Sequence, residues 1–251
     1  MSTSETTEGV LVRWAPSRDS AAAALTELGM IAAYAIMGGN SANPAVAALI
    51  GLIVVPVLAV GIPVYWTTQV ERQPISTLGI TARRWLPSLA LSILLSLLVV
   101  YPLLLSSRAA VSTDRWLPMA AAGAVSLFEP LFVFGWLQLR FEKDFGVLPG
   151  ILLAALGYAL YHVGYMPGEM SGQFYSAVVF AVCFRLTRNL LVAWPLLWAT
   201  SSAWLCIAAN VCFYNWGMAT FSGMVLLIEI AFIAFMALRQ RRMAARSVSQ
   251  V

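Results

Sequence analysis

Long apolar blocks run through this sequence almost from end to end. Most of them approach the roughly 20 residues that a helix needs to cross about 30 Å of hydrocarbon. Only 10% of the residues are charged, against about a quarter in soluble domains, which excludes a soluble globular core, a disordered chain and a nucleic-acid binder. The sequence therefore predicts an all-α, polytopic membrane bundle of about eight transmembrane helices. We place the spans at residues 21–38, 44–67, 85–105, 117–139, 147–166, 174–187, 190–212 and 219–238.

The count of eight depends on one unusually long block. Residues 174–213 are almost continuously apolar and would extend about 60 Å as a single helix, twice the thickness of the membrane core. We therefore expect two crossings, with a tight turn at Arg185–Asn189. The rest of the predicted organisation is simple: a polar, mobile tail at 1–20, a single transmembrane domain at 21–238, and a basic cytoplasmic tail at 239–251.

The basic residues predict an orientation. If the N-terminus is cytoplasmic, 13 of the 15 basic residues fall on the cytoplasmic side, and only Arg108 and Arg115 fall outside. This asymmetry fits the positive-inside rule and requires an even number of crossings. The inner residues are Arg13, Arg18, Arg72, Arg83, Arg84, Arg140, Lys143, Arg185, Arg188, Arg239, Arg241, Arg242 and Arg246.

The cysteines and the N-terminus carry little functional signal. Cys183, Cys206 and Cys212 are odd in number and lie in apolar stretches, so we expect buried thiols and no disulfide framework. The first 20 residues are polar and mixed in charge, which is unlike a cleavable signal peptide.

Few ionisable residues lie deep in the apolar spans: Glu129, Glu229 and His162, the only histidine, with Glu27 near the start of the first span. A charged side chain at the bilayer centre costs about 2.5–3.5 kcal/mol or more, so such residues usually face the protein interior and carry function. Glu229 also has a simpler interpretation, a bond to a neighbouring helix.

The sequence lacks the residues that several mechanisms of intramembrane proteolysis require. An aspartyl dyad needs two membrane aspartates, a zinc peptidase of the H-E-x-x-H type needs two histidines, and a serine–lysine dyad needs a membrane lysine. Ser171 follows His162, but its surroundings lack the G-x-S-x-G spacing. No ligand spacing supports a zinc site built from His162, Glu129 and a cysteine. We predict no metal and no cofactor.

A glutamate–histidine pair remains, and two interpretations of it stay open. Glu129, assisted by His162, is suited to act as a general base that takes a proton from a water molecule attacking an amide. Alternatively, the pair forms an ordinary interhelical hydrogen bond worth about 0.6 kcal/mol.

The residues around this pair resemble those of the CPBP family, which includes type II CAAX prenyl endopeptidases, bacteriocin-processing proteins and abortive-infection proteins. The family's first motif is E-E-x-x-x-R followed by Gly, an L-Q run and a basic loop ending in Phe-Gly. Its second places an aromatic residue four positions before His, as in Tyr158 and His162. The stretch Thr77–Leu86 is similar to the family's entry into the third helix, so the resemblance covers about residues 77–212. The frame of the first motif is matched by Glu129, Gly135, Leu137, Gln138, Phe145 and Gly146.

The sequence departs from the family in two motifs. The second glutamate of the first motif is Pro130 and its arginine is Phe134, so both members of a charge pair are missing. Pro130 also removes a backbone N–H and frees the carbonyl of Ser126, which predicts a kink or a water site beside Glu129. In the third motif, Trp198 and Ser202 stand where the family has His and Asn, groups thought to bind the oxyanion. An indole N–H and a hydroxyl can both donate hydrogen bonds.

The resemblance implies an intramembrane endopeptidase in which Glu129 is the base, His162 its partner, and Trp198, Ser202 and Tyr158 line the cavity. Its substrate would be a membrane-associated peptide or protein, possibly lipidated, and membrane lipid would surround it. The alternative is a catalytically silent homologue that acts as a membrane adaptor or regulatory subunit. A third class, a proton or small-molecule carrier, would use Glu129 and Glu229. We expect an integral protein of a bacterial cytoplasmic membrane with both termini inside, while the oligomeric state stays open.

Overall fold

The computed structural model describes residues 10–40, 42–106, 112–162, 170–208, 212 and 214–248. All regular secondary structure in these ranges is helical, which confirms the all-α prediction. The longer helices are α1 (Arg18–Gly39), α2 (Pro44–Val70), α3 (Trp85–Ser106), α4 (Thr113–Val125), α5 (Phe128–Phe145), α6 (Val147–His162), α7 (Met170–Thr187), α8 (Leu196–Ala208) and α9 (Trp216–Val248). The predicted residues 163–166 of the fifth span and 209–211 of the seventh lie outside the described residues.

Length and apolarity support five or six crossings. Within the described ranges, α1, α2, α3, the segment Leu190–Ala208 and α9 are each long and apolar enough to cross a membrane. The pair α4 and α5 passes the same test together, with a bend of 48° between the two helices. The described part of α6 is a shorter apolar helix, and α7 begins with the polar Ser171 and Gln173. The count of eight therefore stays a prediction.

The predicted turn in the long apolar block is confirmed. Helix α7 ends at Thr187, and a short 3-10 helix, Leu190–Val192, precedes α8. Asn189 stabilises the turn, since its side-chain oxygen accepts a hydrogen bond from the backbone N–H of Leu191 at 2.9 Å. A residue of this kind before a helix satisfies a backbone donor that would otherwise have no partner.

The chain contacts divide the protein into two interleaved compact units. The first contains Met1–Pro63 and Phe132–Val182, and the second contains Val64–Leu131 and Cys183–Val251. The single transmembrane domain stays a prediction.

In the first unit, the N-terminal segment is docked from residue 10 onward, which corrects the expectation of a mobile tail for residues 10–20. Residues 1–9 of the predicted tail lie outside the described residues. The backbone N–H of Arg13 donates to the carbonyl of Phe145 at 2.9 Å, and that of Val147 donates to Val10 at 3.0 Å. Gly146 makes this pairing possible: its φ is +91°, and a Cβ there would lie 2.8 Å from the carbonyl oxygen of Leu11. The reason for the error is that polar composition cannot reveal backbone pairing.

Polar side chains hold the start of α1 against the same connection. Lys143 Nζ lies 2.6 Å from a carboxylate oxygen of Asp19, and the hydroxyl of Ser17 donates to Asp144. The chain before α1 and the connection between α5 and α6 therefore share one end of this unit. The orientation prediction requires this arrangement, since it places both segments in the cytoplasm.

The second unit brings three other basic segments to one end. The Arg84 guanidinium donates to the carbonyl of Leu186 at 3.1 Å, and the Asn189 amide donates to the carbonyl of Arg83 at 2.8 Å. Near the end of α9, the Gln240 amide donates to the carbonyl of Gln73 at 2.8 Å. Helix α9 continues to Val248, so residues 239–248 of the predicted basic tail are helical. Residues 249–251 lie outside the described residues, and the cytoplasmic position of the tail stays a prediction.

The cysteine prediction is wrong for two of the three residues. Cys206 and Cys212 form a disulfide, while Cys183 is free and buried. Their Cα atoms are 4.7 Å apart, whereas six residues of continuous helix would separate them by about 9 Å. Cys212 therefore lies off the line of α8, although its apolar surroundings in the sequence predicted a helix.

Candidate active site

A break in the helix places Glu129. Helix α4 ends at Val125, Ser126 adopts φ −88° and ψ 80°, and the helix resumes at Phe128. Pro130 lies in the first turn of α5, where its missing N–H removes no helical hydrogen bond. A bend of 48° does lie close to Glu129, but it falls at Ser126 and Leu127, so the missing N–H of Pro130 is not its cause. Glu129 lies at the start of a helix, although the sequence predicted the middle of one.

The carboxyl group of Glu129 is held by Trp198 of α8. The indole N–H of Trp198 donates to Oε2 of Glu129 at 2.8 Å. Trp198 is almost completely buried, with 4% of its surface exposed. Because an indole nitrogen can only donate, the direction of this bond is unambiguous. The bond fixes one carboxyl oxygen within the second unit.

Ser202 supports this arrangement from the next turn of α8. Its hydroxyl donates to the carbonyl oxygen of Trp198 at 2.9 Å. Gly123 of α4 packs here, and a Cβ at that position would lie 2.9 Å from the same carbonyl. The absence of a side chain at Gly123 therefore lets α8 approach α4 closely. Both donors proposed for an oxyanion, the indole and the hydroxyl, already have acceptors in this structure.

His162 lies at the end of α6 in the first unit and is buried, with 8% exposed. Its Nδ1 lies 2.7 Å from the carbonyl oxygen of Tyr158. A carbonyl oxygen can only accept, so Nδ1 carries the proton. In the neutral imidazole, Nε2 is then the acceptor and is the nitrogen suited to receive a proton.

Three tyrosine rings surround the imidazole. The ring centroid of His162 lies 4.6 Å from that of Tyr158, 4.5 Å from Tyr161 and 6.0 Å from Tyr34 of α1. The sequence indicated Tyr158 through the second motif but missed the other two rings. Tyr161 is adjacent to His162 in the sequence, whereas Tyr34 joins the cluster only because α1 packs against α6 and carried no sequence signal.

Glu129 belongs to the second unit and His162 to the first. Their approach to one another, and the shared cavity with Trp198, Ser202 and Tyr158, therefore stay predictions.

Two residues of the first motif, the altered Phe134 and the matching Gln138, lie in the core. Phe134, in place of the arginine, is fully buried and meets the ring of Phe180 edge to face at 6.5 Å. Gln138 is also fully buried, and its amide donates to Glu142 at 2.7 Å and to the carbonyl of Ala181 at 2.9 Å. The sequence placed Gln138 in the motif frame but missed this network, because its acceptors lie on later turns and on another helix.

Two further carboxyl groups are buried without a hydrogen-bond partner among the described residues. Glu27 of α1 is 7% exposed and Glu229 of α9 is 2% exposed, and neither oxygen of either group has a partner. Within the same ranges, no group of three His, Cys, Asp or Glu side chains is placed to hold a metal ion.

The part of the chain that carries these residues matches a known protein family. The family model "Type II CAAX prenyl endopeptidase Rce1-like" matches residues 111–202, which include Glu129, His162, Trp198 and Ser202. This match supports membership of the CPBP family. The CPBP assignment in turn supports a membrane-embedded protease of the CAAX type that acts on membrane-associated substrates. No curated protein and no solved structure is significantly similar to the chain.

Proposed function

We propose that this protein is an intramembrane endopeptidase in which Glu129 activates water and His162 assists the proton transfer. The observation that carries the proposal is the 2.8 Å hydrogen bond from Trp198 to Glu129. Trp198 stands where the family has the histidine of its third motif, and in this chain that position contacts the candidate base. If this position had only accumulated neutral substitutions after the loss of a catalytic histidine, a hydrogen bond from it to the carboxyl group of Glu129 would not be expected.

The chemistry needs only groups of this chain and water. A proton passes from water to the Glu129–His162 pair as the water oxygen bonds to the carbonyl carbon of the scissile amide. The C–N bond then breaks, and the same proton is delivered to the leaving amine. Positioned acid–base groups of this kind contribute about 10²–10⁴ to the rate. The Nδ1 bond to Tyr158 makes Nε2 the basic nitrogen of the neutral imidazole, and Nε2 is the atom suited to share the proton.

The substrate we propose is a membrane-associated peptide or protein, possibly lipidated, cleaved in a bacterial cytoplasmic membrane. Both termini of the enzyme would lie in the cytoplasm. The shared end of residues 10–19 and 140–148 in the first unit supports this orientation. The contacts that join residues 73–84, 186–189 and 240 in the second unit support the same orientation.

A catalytically silent homologue is the second candidate, and one observation favours it. The Ser202 hydroxyl donates to Trp198, and the Trp198 indole donates to Glu129, so both candidate oxyanion donors are engaged. Removing an oxyanion donor typically costs 10²–10³ in rate. Such a homologue would bind a membrane partner rather than cleave it.

Membrane proteomics separates the two candidates. Cells that carry native protein and cells that carry Glu129→Gln would be compared for a precursor that accumulates unprocessed. Glutamine keeps the size of the side chain and an oxygen that can accept from Trp198, but it cannot act as a base. Accumulation in the Glu129→Gln strain supports the endopeptidase, whereas identical membrane proteomes support the adaptor.

A further inference from the structure

Arginines accumulate at one end of the second unit, before two segments that are long and apolar enough to cross a membrane. Residues 64–90, which lead into α3, and residues 183–193, which lead towards α8, contain five arginines and one acidic residue, Glu71. Five positive charges against one negative charge leave a local net charge of +4, so basic charge greatly exceeds acidic charge here. The arginines are Arg72, Arg83, Arg84, Arg185 and Arg188.

Hydrogen bonds hold these two segments against each other. The Arg84 guanidinium donates to the carbonyl of Leu186 at 3.1 Å. The side-chain amide of Asn189 donates to the carbonyls of Thr81 and Arg83, at 2.8 Å in both cases. The arginines of both segments are therefore carried by one loop and one turn that are fixed together. Collecting like charges in this way is unfavourable unless an anion from outside the chain offsets them.

Two of these arginines adopt a backbone conformation that favours glycine. The φ angle is +56° at Arg84 and +53° at Arg188, in the left-handed region that is unfavourable for a residue with a Cβ. Residues held in such conformations cluster at functional sites. The strain indicates that the guanidinium groups serve a purpose that a smaller residue, better suited to this backbone, would not serve.

The side chains of Arg83 and Arg84 are accessible to a ligand. Both are exposed, and neither forms a salt bridge with an acidic residue in the described part of the chain. The bond from Arg84 to Leu186 uses one N–H of the guanidinium, and the remaining N–H groups can bind phosphate oxygens. Trp85 and Leu86, which follow directly, are also exposed, and tryptophan is enriched where a membrane meets water.

We infer that Arg83 and Arg84 bind the phosphate of an anionic phospholipid, with the charge of Arg185 and Arg188 adding to the attraction. The positive end of the α3 dipole lies at the same place and also favours a phosphate. Both segments immediately precede candidate membrane spans, which is the depth of a lipid headgroup. A lipid, unlike a free anion, would also cover the exposed Trp85. This inference does not depend on the proposed function.

The basic end of the first unit differs in charge and provides a control. Residues 10–20 and 139–148 contain four basic and three acidic residues. Lys143 lies 2.6 Å from a carboxylate oxygen of Asp19, and the exposed Arg18 lies 3.9 Å from the other. Because acidic residues offset the basic ones at this end, we expect no headgroup site of comparable affinity here.

The test titrates full-length protein in neutral detergent micelles with phosphatidylglycerol or with phosphatidylcholine of the same acyl chains. Native mass spectrometry measures the bound lipid. We expect the native protein to bind phosphatidylglycerol more tightly, because its phosphate has no neutralising amine. Arg83→Gln and Arg84→Asn should each weaken phosphatidylglycerol binding about fivefold, the effect of one arginine near an anionic surface, and leave phosphatidylcholine binding unchanged. Arg18→Gln, the matched control, should bind like the native protein.

The two variants are chosen so that the fold persists. Asparagine adopts the left-handed conformation more readily than most residues, so Arg84→Asn should keep the backbone at this position. Arg83→Gln leaves the bond from Arg84 to Leu186 in place and therefore tests the site even if Arg84→Asn loosens that contact. Thermal unfolding of each variant without lipid checks the fold.

Three results would overturn the inference. The first is native affinity for phosphatidylglycerol in Arg83→Gln and Arg84→Asn when both are folded, and the second is an equal loss in Arg18→Gln. The third is displacement of the lipid by millimolar inorganic phosphate, which would show a site for a free anion. Glu129→Gln should bind phosphatidylglycerol like the native protein, because the site contains no group of the proposed catalysis. Failure of the endopeptidase assay therefore leaves the lipid site standing, and failure of the lipid site leaves the proposed function standing.

Discussion

The indole N–H of Trp198 donates a hydrogen bond to Oε2 of Glu129 across 2.8 Å, and it joins the start of α5 to α8. Few side chains can donate such a hydrogen bond in an apolar setting, because the donor must be neutral and long enough to reach from α8 to α5. Trp198 keeps a donor at a position where the family has histidine. It also fills the surrounding space with a buried ring.

The first prediction concerns this hydrogen bond. Trp198→Phe removes the donor and keeps an aromatic ring, so we expect peptide cleavage to fall about tenfold, the cost of about one hydrogen bond to a carboxyl group. Trp198→His, which restores a donor, should retain more activity than Trp198→Phe. The cleavage rates of the purified variants check this order. Equal rates in Trp198→Phe and native protein would show that the bond does not serve catalysis.

The second prediction concerns the missing charge pair. Phe134→Arg alone should lower thermal stability strongly, because it places a charge at a fully buried position. Adding Pro130→Glu should recover part of the loss if the two side chains meet as they would in the family. A triple variant with Trp198→His as well should cleave peptide faster than native protein if the natural chain is a weakened protease. A triple variant that folds but does not cleave the peptide would contradict the idea that the natural protein is a weakened protease.

The third prediction concerns orientation. Reporter fusions after Val251 and near Glu169 should report the cytoplasm and the opposite side respectively, because eight crossings put an odd number of helices between the two positions. Glu169 lies outside the described residues. The Cys206–Cys212 disulfide falls, on the same count, at the outer ends of the last two helices, where an oxidising compartment favours disulfides. Two fusions reporting one side would overturn the count of eight.

The fourth prediction concerns the docked N-terminal segment. Gly146→Ala should lower the free energy of unfolding by about 1–3 kcal/mol, because a side chain at φ +91° is strained. It would also collide with the backbone of residues 10–12, so protease access to this segment should increase. Gly223→Ala is the control, since a Cβ there meets nothing within 4 Å. Equal thermal unfolding of the two variants would contradict the role of Gly146.

Much of the fold follows from the sequence because apolar length is a local signal. The helix ends near Thr187 and Leu190 could be predicted, since a single helix of 40 residues would exceed the membrane core. The docking of residues 10–15 could not, because backbone pairing with residues 144–148 leaves no trace in composition. The same holds for the disulfide, which depends on where the chain leaves α8.

In the candidate site, too, some residues could be proposed from the sequence, whereas their contacts could not. Glu129, Tyr158 and His162 could be proposed from the sequence because the cost of burying polar groups makes them rare in membrane helices, and because they fall into short motifs. Their role in one site stays a prediction. The contact between Trp198 and Glu129 joins residues 69 positions apart, so the motifs gave the position of Trp198 but not its partner. The position of Tyr34 beside His162 depends on how α1 packs against α6, which no spacing within one helix encodes.

The most direct test of the proposed chemistry is the cleavage rate of purified protein reconstituted in proteoliposomes, compared with that of Glu129→Gln. An internally quenched, prenylated peptide serves as the substrate. We predict that native protein cleaves the peptide and that Glu129→Gln, which should fold normally and keep the bond to Trp198, loses at least 10²-fold in rate. His162→Ala should fall within the range of about 10²–10⁴. Cleavage by Glu129→Gln at the native rate would contradict the role of Glu129 as the base.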